Sequence, residues 1–178
     1  MASNASQLKA VLFDRDGTLV IDVPYNGDPS KVRPFPGARK VLDELRGLGL
    51  ATGVLSNQSG VARGILTLDQ VNSVNNRVEE LLGPFDVWEV CPHSAADSCR
   101  CRKPAPGMIH SACGRLGIDA SEAAFIGDIG SDVEAAKAAG ARGVLVPTPV
   151  TREEEVAAAT EVAADLEQAV VLLLKGRA

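Results

Sequence analysis

The strongest constraint on the fold is a repeated order of patterns. Short apolar runs closed by a polar residue alternate with stretches of helical periodicity. Ala10–Phe13 ends at Asp14, Ala51–Leu55 at Ser56, Phe85–Val90 at Cys91 and Ala123–Ile126 at Gly127-Asp128. Val144–Val146 is a fifth run. Between them, Pro36-Gly37 opens a helix with apolar Ala38, Val41, Leu42 and Leu45. A capping box at Thr67–Gln70 starts a helix that runs to about Leu82. Further helices are predicted over Pro106–Leu116, Ser131–Ala139, Glu153–Ala159 and Leu166–Leu174. Strand–helix alternation of this kind predicts an α/β fold: a Rossmann-like three-layer sandwich with a central parallel sheet. At 178 residues, one domain spanning 1–178 is expected.

Ligands of such sheets sit at the carboxyl ends of the strands. The polar residues collect there: Asp14, Asp16, Ser56, Asn57, Cys91, His93, Asp128 and Asp132. In Asp14-Arg15-Asp16-Gly17-Thr18, two carboxylates two residues apart share a side of an extended chain. Their repulsion calls for a cation, and oxygen ligands suit Mg²⁺. The competing reading is a plain Asp/Gly turn. Asp132, one helical turn past Asp128, is either a support for that centre or a first-turn acid favoured by the helix dipole.

Composition removes other classes. Lys and Arg total 18 against 23 Asp and Glu, a net charge of −5, so generic nucleic-acid binding is not expected. Aromatic residues are 3% of the chain, too few for base-stacking platforms. The late apolar run Ala169–Leu174 is too short to span a bilayer, and Met1–Leu8 shows no export pattern. A cytoplasmic protein without a membrane partner is expected.

The chain has 4 Cys, and three crowd Cys91-Pro-His93-Ser-Ala-Ala-Asp-Ser-Cys99-Arg-Cys101. Three thiolates and one imidazole make a full structural Zn²⁺ shell, with no open position for catalysis. A zinc loop over 91–101 is therefore expected. Cys113, beside Ala112 on the next helix, reads as a small core residue.

The ordered set Asp14-Arg15-Asp16-Gly17-Thr18, Ser56, Lys103 and Gly127-Asp128 with Asp132 resembles the haloacid dehalogenase superfamily of phosphotransferases. The resemblance covers roughly residues 9–146 and implies roles. Asp14 would be the nucleophile that forms an aspartyl-phosphate. Asp16 would protonate the leaving alcohol and then activate water. Mg²⁺ would be held by Asp14, the backbone carbonyl of Asp16, and Asp128. Lys103 and Ser56 would hold the phosphoryl oxygens, with Asp132 supporting Lys103 or the water shell of the metal.

The zinc loop leading into Arg102-Lys103-Pro104 resembles one subgroup of that superfamily, which contains heptose 1,7-bisphosphate 7-phosphatases and histidinol-phosphate phosphatases. Ser56–Gly64 and Lys103–Met108 look like the heptose branch, while the short spacing inside the zinc loop is similar to the histidinol-phosphate branch. The resemblance favours a small phosphorylated sugar, first the 7-phosphate of D-glycero-D-manno-heptose 1,7-bisphosphate. Histidinol phosphate or another sugar monophosphate is the alternative. The intervals Asp14–Ser56 and Ser56–Lys103 leave no room for a cap domain. Specificity then falls to loops, and the candidate substrate contacts are Asp22, Tyr25, Ser56, Asn57, Gln58, Ser59, Arg63, Arg102 and Lys103. Tyr25 reads equally as an incidental surface aromatic, and Arg63 as a solvated charge. Ile129 stands beside the metal aspartate, where some relatives carry a charge. His110 and Trp88 read as packing or surface residues. A monomer is expected. A non-catalytic zinc-stabilised binding module is the competing class, and the full catalytic set argues against it.

Overall fold

A computed structural model gives the structure of the protein and describes residues 7–175. Most of the Met1–Leu8 segment, and the ends of the 1–178 unit, lie outside the described residues. The strands are β1 Ala10–Phe13, β2 Ala51–Asn57, β3 Val87–Cys91, β4 Ala123–Gly127 and β5 Arg142–Leu145. They pair in parallel in the order β3-β2-β1-β4-β5. The helices are α1 Ala38–Gly47, α2 Leu68–Leu82, α3 Gly107–Leu116, α4 Gly130–Ala139, α5 Glu153–Ala158 and α6 Leu166–Leu174.

Alternate side chains of each strand point to opposite faces, so each strand feeds two cores. Val11, Phe13 and Val54 pack with Leu42 and Leu45 of α1, Val74 and Val78 of α2, and Val170 and Leu173 of α6. Ala10, Leu12, Leu55 and Phe125 pack on the other face with Met108 and Ile109 of α3 and Ala135 and Ala136 of α4. The result is the expected three-layer sandwich. Each large apolar side chain buried this way contributes about 1.5–3 kcal/mol before entropy is counted.

The local signals work as the sequence suggests. Thr67 Oγ1 accepts the Gln70 amide at 3.1 Å, and Gln70 Oε1 accepts the Thr67 amide at 2.9 Å, which fixes the start of α2. Gly140 takes the left-handed conformation that ends α4. Between β1 and β2 the chain holds a loop, a 3-10 turn at Pro29–Lys31 and α1; between β2 and β3 it holds a loop and α2. Neither interval forms a cap, as expected. Among the described residues, no helix is long and apolar enough to cross a membrane.

β2 and β4 run past their apolar runs, to Asn57 and Gly127, and two strands start elsewhere than the sequence expects. β5 starts at Arg142, ahead of the apolar Val144–Val146, because the ladder to β4 is backbone pairing and Arg142 and Gly143 already lie opposite Ala124 and Phe125. β3 starts at Val87, because Phe85 and Asp86 belong to the turn before it, where Asp86 Oδ2 accepts the Thr52 amide at 2.8 Å.

Candidate active site

β1 is the middle strand, and the chain leaves it to β2 on one side and returns to β4 on the other. The reversal opens a crevice at the carboxyl edge, between the turns after β1, β2 and β4. Asp14 lies there, its amide bonded to the Ile126 carbonyl at 2.9 Å. Gly17 has φ of 84°, and a Cβ on it would stand 2.3 Å from Asp128 Oδ2. Only glycine allows both that turn and the close approach of Asp128. A cavity of ≈ 240 Å³ opens over these turns. Its lining includes Asp14, Asp16, Asp22, Tyr25 and Asn57, together with Lys103 and Asp128.

Lys103 enters from the loop before α3 and is buried at 4% exposure. Its ammonium donates to Asp14 Oδ1 at 2.6 Å and to the Leu55 carbonyl at 3.1 Å, and pairs with Asp132 Oδ1 at 2.7 Å. The ammonium thus makes two hydrogen bonds and a further ion pair. Asn57 brackets the Lys103 backbone: its amide group donates to the Lys103 carbonyl at 3.2 Å and its carbonyl accepts the Lys103 amide at 3.1 Å. Burial pushes the Lys103 ammonium down, but the Asp132 and Asp14 carboxylates outweigh it and raise the group above the ordinary lysine value.

Carboxylate oxygens of Asp14, Asp128 and Asp132 gather within 4.8 Å of one another, all three residues buried. Burial raises the Asp14 carboxyl well above the ordinary aspartate value, against the pull of Lys103. Burial, then the Asp132 charge, pushes Asp128 up to about 7. Three carboxylates face one ammonium, so the site holds excess negative charge away from water. Hard oxygen donors with that excess fit a divalent cation such as Mg²⁺.

Asp132 makes contacts of both kinds. Oδ2 accepts the amides of Asp128 at 3.1 Å and Ile129 at 3.2 Å, capping α4, while Oδ1 takes Lys103. Asp16 is not part of the acidic trio. Its carboxylate accepts from Arg15 and from Gln58 Nε2 at 3.0 Å, and the same amide reaches Ser56 Oγ at 2.7 Å.

Tyr25 and Arg63 meet at the rim, with Arg63 Nη1 donating to the Tyr25 hydroxyl at 2.9 Å. Asp22, Tyr25, Asn57, Gln58, Ser59 and Lys103 line the cavity; Ser56, Arg63 and Arg102 lie outside its lining. Ser56 is buried beneath Gln58, and Arg102 donates to the His93 carbonyl at 3.4 Å. Sequence reasoning missed Val150, exposed at the mouth beside Ile129, and Thr151, whose hydroxyl donates to the Asp128 carbonyl at 2.6 Å. It also missed the buried Arg15 as a partner of Asp16 and of Asn75. An arginine set between two aspartates just past a wholly apolar strand was the one available signal.

The loop after β3 brings Cys91, His93, Cys99 and Cys101 together, with ligand atoms within 4.8 Å of one another. The sulfurs stand 3.1 to 3.6 Å apart, and His93 Nδ1 lies 3.3 Å from Cys101 Sγ and 3.5 Å from Cys91 Sγ. All are free thiols. A tetrahedral site with metal–sulfur bonds of about 2.3 Å has sulfur–sulfur edges of roughly 3.7 Å, close to this arrangement. The donor set fits Zn²⁺. Cys113 packs in the core under α3, as expected.

A HAD-hydrolase-like family model matches residues 100–169. The D-glycero-beta-D-manno-heptose-1,7-bisphosphate 7-phosphatase of Escherichia coli K12 is 36% identical, covering 93% of this chain and 95% of its own. That of Pseudomonas aeruginosa is 35% identical over 78% of this chain and 80% of its own. The solved D,D-heptose 1,7-bisphosphate phosphatase from B. bronchiseptica, complexed with magnesium and phosphate, superposes with a TM-score of 0.84 at 28% identity, covering 94% of this chain and 99% of that one. Relatedness across nearly the whole length, on the same fold, leads to one assignment: the chain belongs to the haloacid dehalogenase superfamily of phosphatases and is a phosphoric monoester hydrolase.

Proposed function

We propose that this chain is a Mg²⁺-dependent sugar phosphatase that works through an aspartyl-phosphate on Asp14, with the 7-phosphate of D-glycero-D-manno-heptose 1,7-bisphosphate as its best substrate. The observation that carries the reading is the buried Asp14–Lys103–Asp132 chain at the strand edge, open to a cavity, in a chain whose relatives bear that substrate in their names.

Lys103 holds Asp14 beside the cavity and offers positive charge to a phosphoryl group there. An Asp14 oxygen attacks phosphorus. The bond from phosphorus to the sugar oxygen breaks, and its electron pair stays on that oxygen, which takes a proton from Asp16. Asp16, now a carboxylate, removes a proton from the water that attacks the phosphorus of the aspartyl-phosphate. Phosphate leaves, and Asp14 is restored. Mg²⁺ between Asp14, the Asp16 carbonyl and Asp128 would screen the repulsion between nucleophile and substrate. Ser56 and Lys103 steady the phosphoryl oxygens. Asp22, Tyr25, Asn57, Gln58, Ser59, Arg63 and Arg102 form the surroundings of the sugar, and Zn²⁺ on Cys91, His93, Cys99 and Cys101 pins the loop that carries Arg102 and Lys103. We place the enzyme in the cytoplasm, as a monomer and one domain.

A second reading, a monophosphate substrate, is favoured by Ile129 and Val150 at the cavity mouth, which offer no charge to a second phosphate. Side-by-side kcat/KM values over sugar mono- and bisphosphates decide between them. The first reading predicts at least a tenfold preference for the heptose bisphosphate, about 1.4 kcal/mol. A smaller preference sinks it on substrate.

A further inference from the structure

Arg15 is the largest of the fully buried side chains, at 1% exposure, and the chemistry above gives it no role. A buried guanidinium persists only where its charge and donors are met. Here the partner is its own neighbour. Nε lies 3.1 Å from both Asp16 oxygens, and Nη2 donates to Oδ2 at 2.9 Å. The far side of the guanidinium is tied across the molecule, where Nη1 donates to Asn75 Oδ1 of α2 at 2.6 Å. Gln58 steadies the same carboxylate from the β2 turn. Asp16 keeps 25% side-chain exposure and lines the cavity with Arg15, while Asn75 lies outside the lining.

We infer that Arg15, anchored by Asn75, is a positioning residue that fixes the Asp16 carboxyl group for proton delivery to the leaving oxygen. The inference rests on the reading of Asp16 as proton donor. A carboxyl group on a freely rotating χ1 spends little time at the one place where transfer occurs. A fork held at both ends removes that freedom, and a lysine in place of Arg15 offers no fork. Helix α2 thereby joins the active site without touching the substrate.

The test uses kcat/KM, which for a phosphoenzyme mechanism reports only the steps through departure of the leaving group. Phenyl phosphate needs a proton at its departing oxygen far more than p-nitrophenyl phosphate, whose phenolate leaves readily. Asn75→Ala removes the anchor and leaves Arg15 in place. It should lower kcat/KM for phenyl phosphate about tenfold, a fraction of what general acid catalysis supplies. The value for p-nitrophenyl phosphate should stay within about twofold. Asn75→Asp, which still accepts from Arg15, should keep the wild-type ratio of the two substrates. Arg15→Lys, which keeps the charge, should show the steeper dependence again and serves if Asn75→Ala does not fold. An equal loss on both substrates, or no loss on either, overturns the inference. Asp16→Asn separates the premise: if it too leaves the substrate ratio unchanged, the reading of Asp16 has failed, not the role of Arg15 alone.

Discussion

Lys103 ties the site together at the level of single residues. It donates to Asp14 and the Leu55 carbonyl, pairs with Asp132, and sits over the Phe125 ring at 5.2 Å. Lys103→Met leaves the three buried carboxylates of Asp14, Asp128 and Asp132 without their ammonium. The expected cost is about 3–5 kcal/mol in a urea melt. The loss in kcat is at least about a hundredfold. A variant that melts like the wild type would show that the pairs contribute nothing. Asp14, Ser56, Lys103 and Asp128 were legible in the sequence because each follows an apolar run or a recognisable motif. Asn75 was not. Its contact with Arg15 joins residues 60 positions apart and depends on which face of α2 meets the sheet, a packing fact no local pattern carries.

Among the elements, the loop after β3 has only a 3-10 turn at Ala95–Asp97 and draws its shape from the Cys/His cluster. Chelation should therefore lower the melting temperature and kcat together, and readded Zn²⁺ should restore both. Recovery with Mg²⁺ alone would contradict a zinc role. On the other side of the site, Glu155 joins α5 to α4, accepting the amides of Arg152 at 2.9 Å and Gly130 at 3.1 Å. The Arg152 side chain and amide hold the Glu155 carboxyl down to about 2. A value lowered on folding stabilises fully above the ordinary glutamate value and is lost as pH falls towards about 2. Glu155→Ala should therefore cost about 1 kcal/mol at neutral pH, with the gap to wild type narrowing through acid pH. A gap constant with pH would assign the effect to packing. The helices were legible because caps and periodicity agree. The short 3-10 turns were not, because a single turn without a buried face leaves no periodic trace.

For the whole molecule, a net charge of −5 requires a local positive site if an anionic substrate is to bind. The fold places part of that negative charge in one buried trio and sets Lys103 and Arg15 against it. This has a consequence for stability. Asp128 is raised to about 7, so the metal-free fold loses stability as pH climbs from the ordinary aspartate range through about 7. A cation held by ionised carboxylates reverses that loss. The melting temperature gained on adding Mg²⁺ should thus be larger at pH 8 than at pH 6, read by thermal melts at fixed ionic strength. An equal gain at both would remove Asp128 from the cation site. The layered sheet was legible because β1 to β5 alternate with helices. The grouping of Asp14, Asp128 and Asp132 was implied by the resemblance, and the pairing of β1 with β4 supplies its physical basis.

The most direct test of the central claim is phosphate release from the heptose bisphosphate by Asp14→Asn. Asparagine keeps the shape and relieves the repulsion that burial and the neighbouring carboxylates impose on Asp14, so the variant should melt at or above the wild-type temperature. Its kcat should fall at least about a thousandfold. A well-folded Asp14→Asn protein that still turns over at a substantial fraction of the wild-type rate would contradict an aspartyl-phosphate on Asp14.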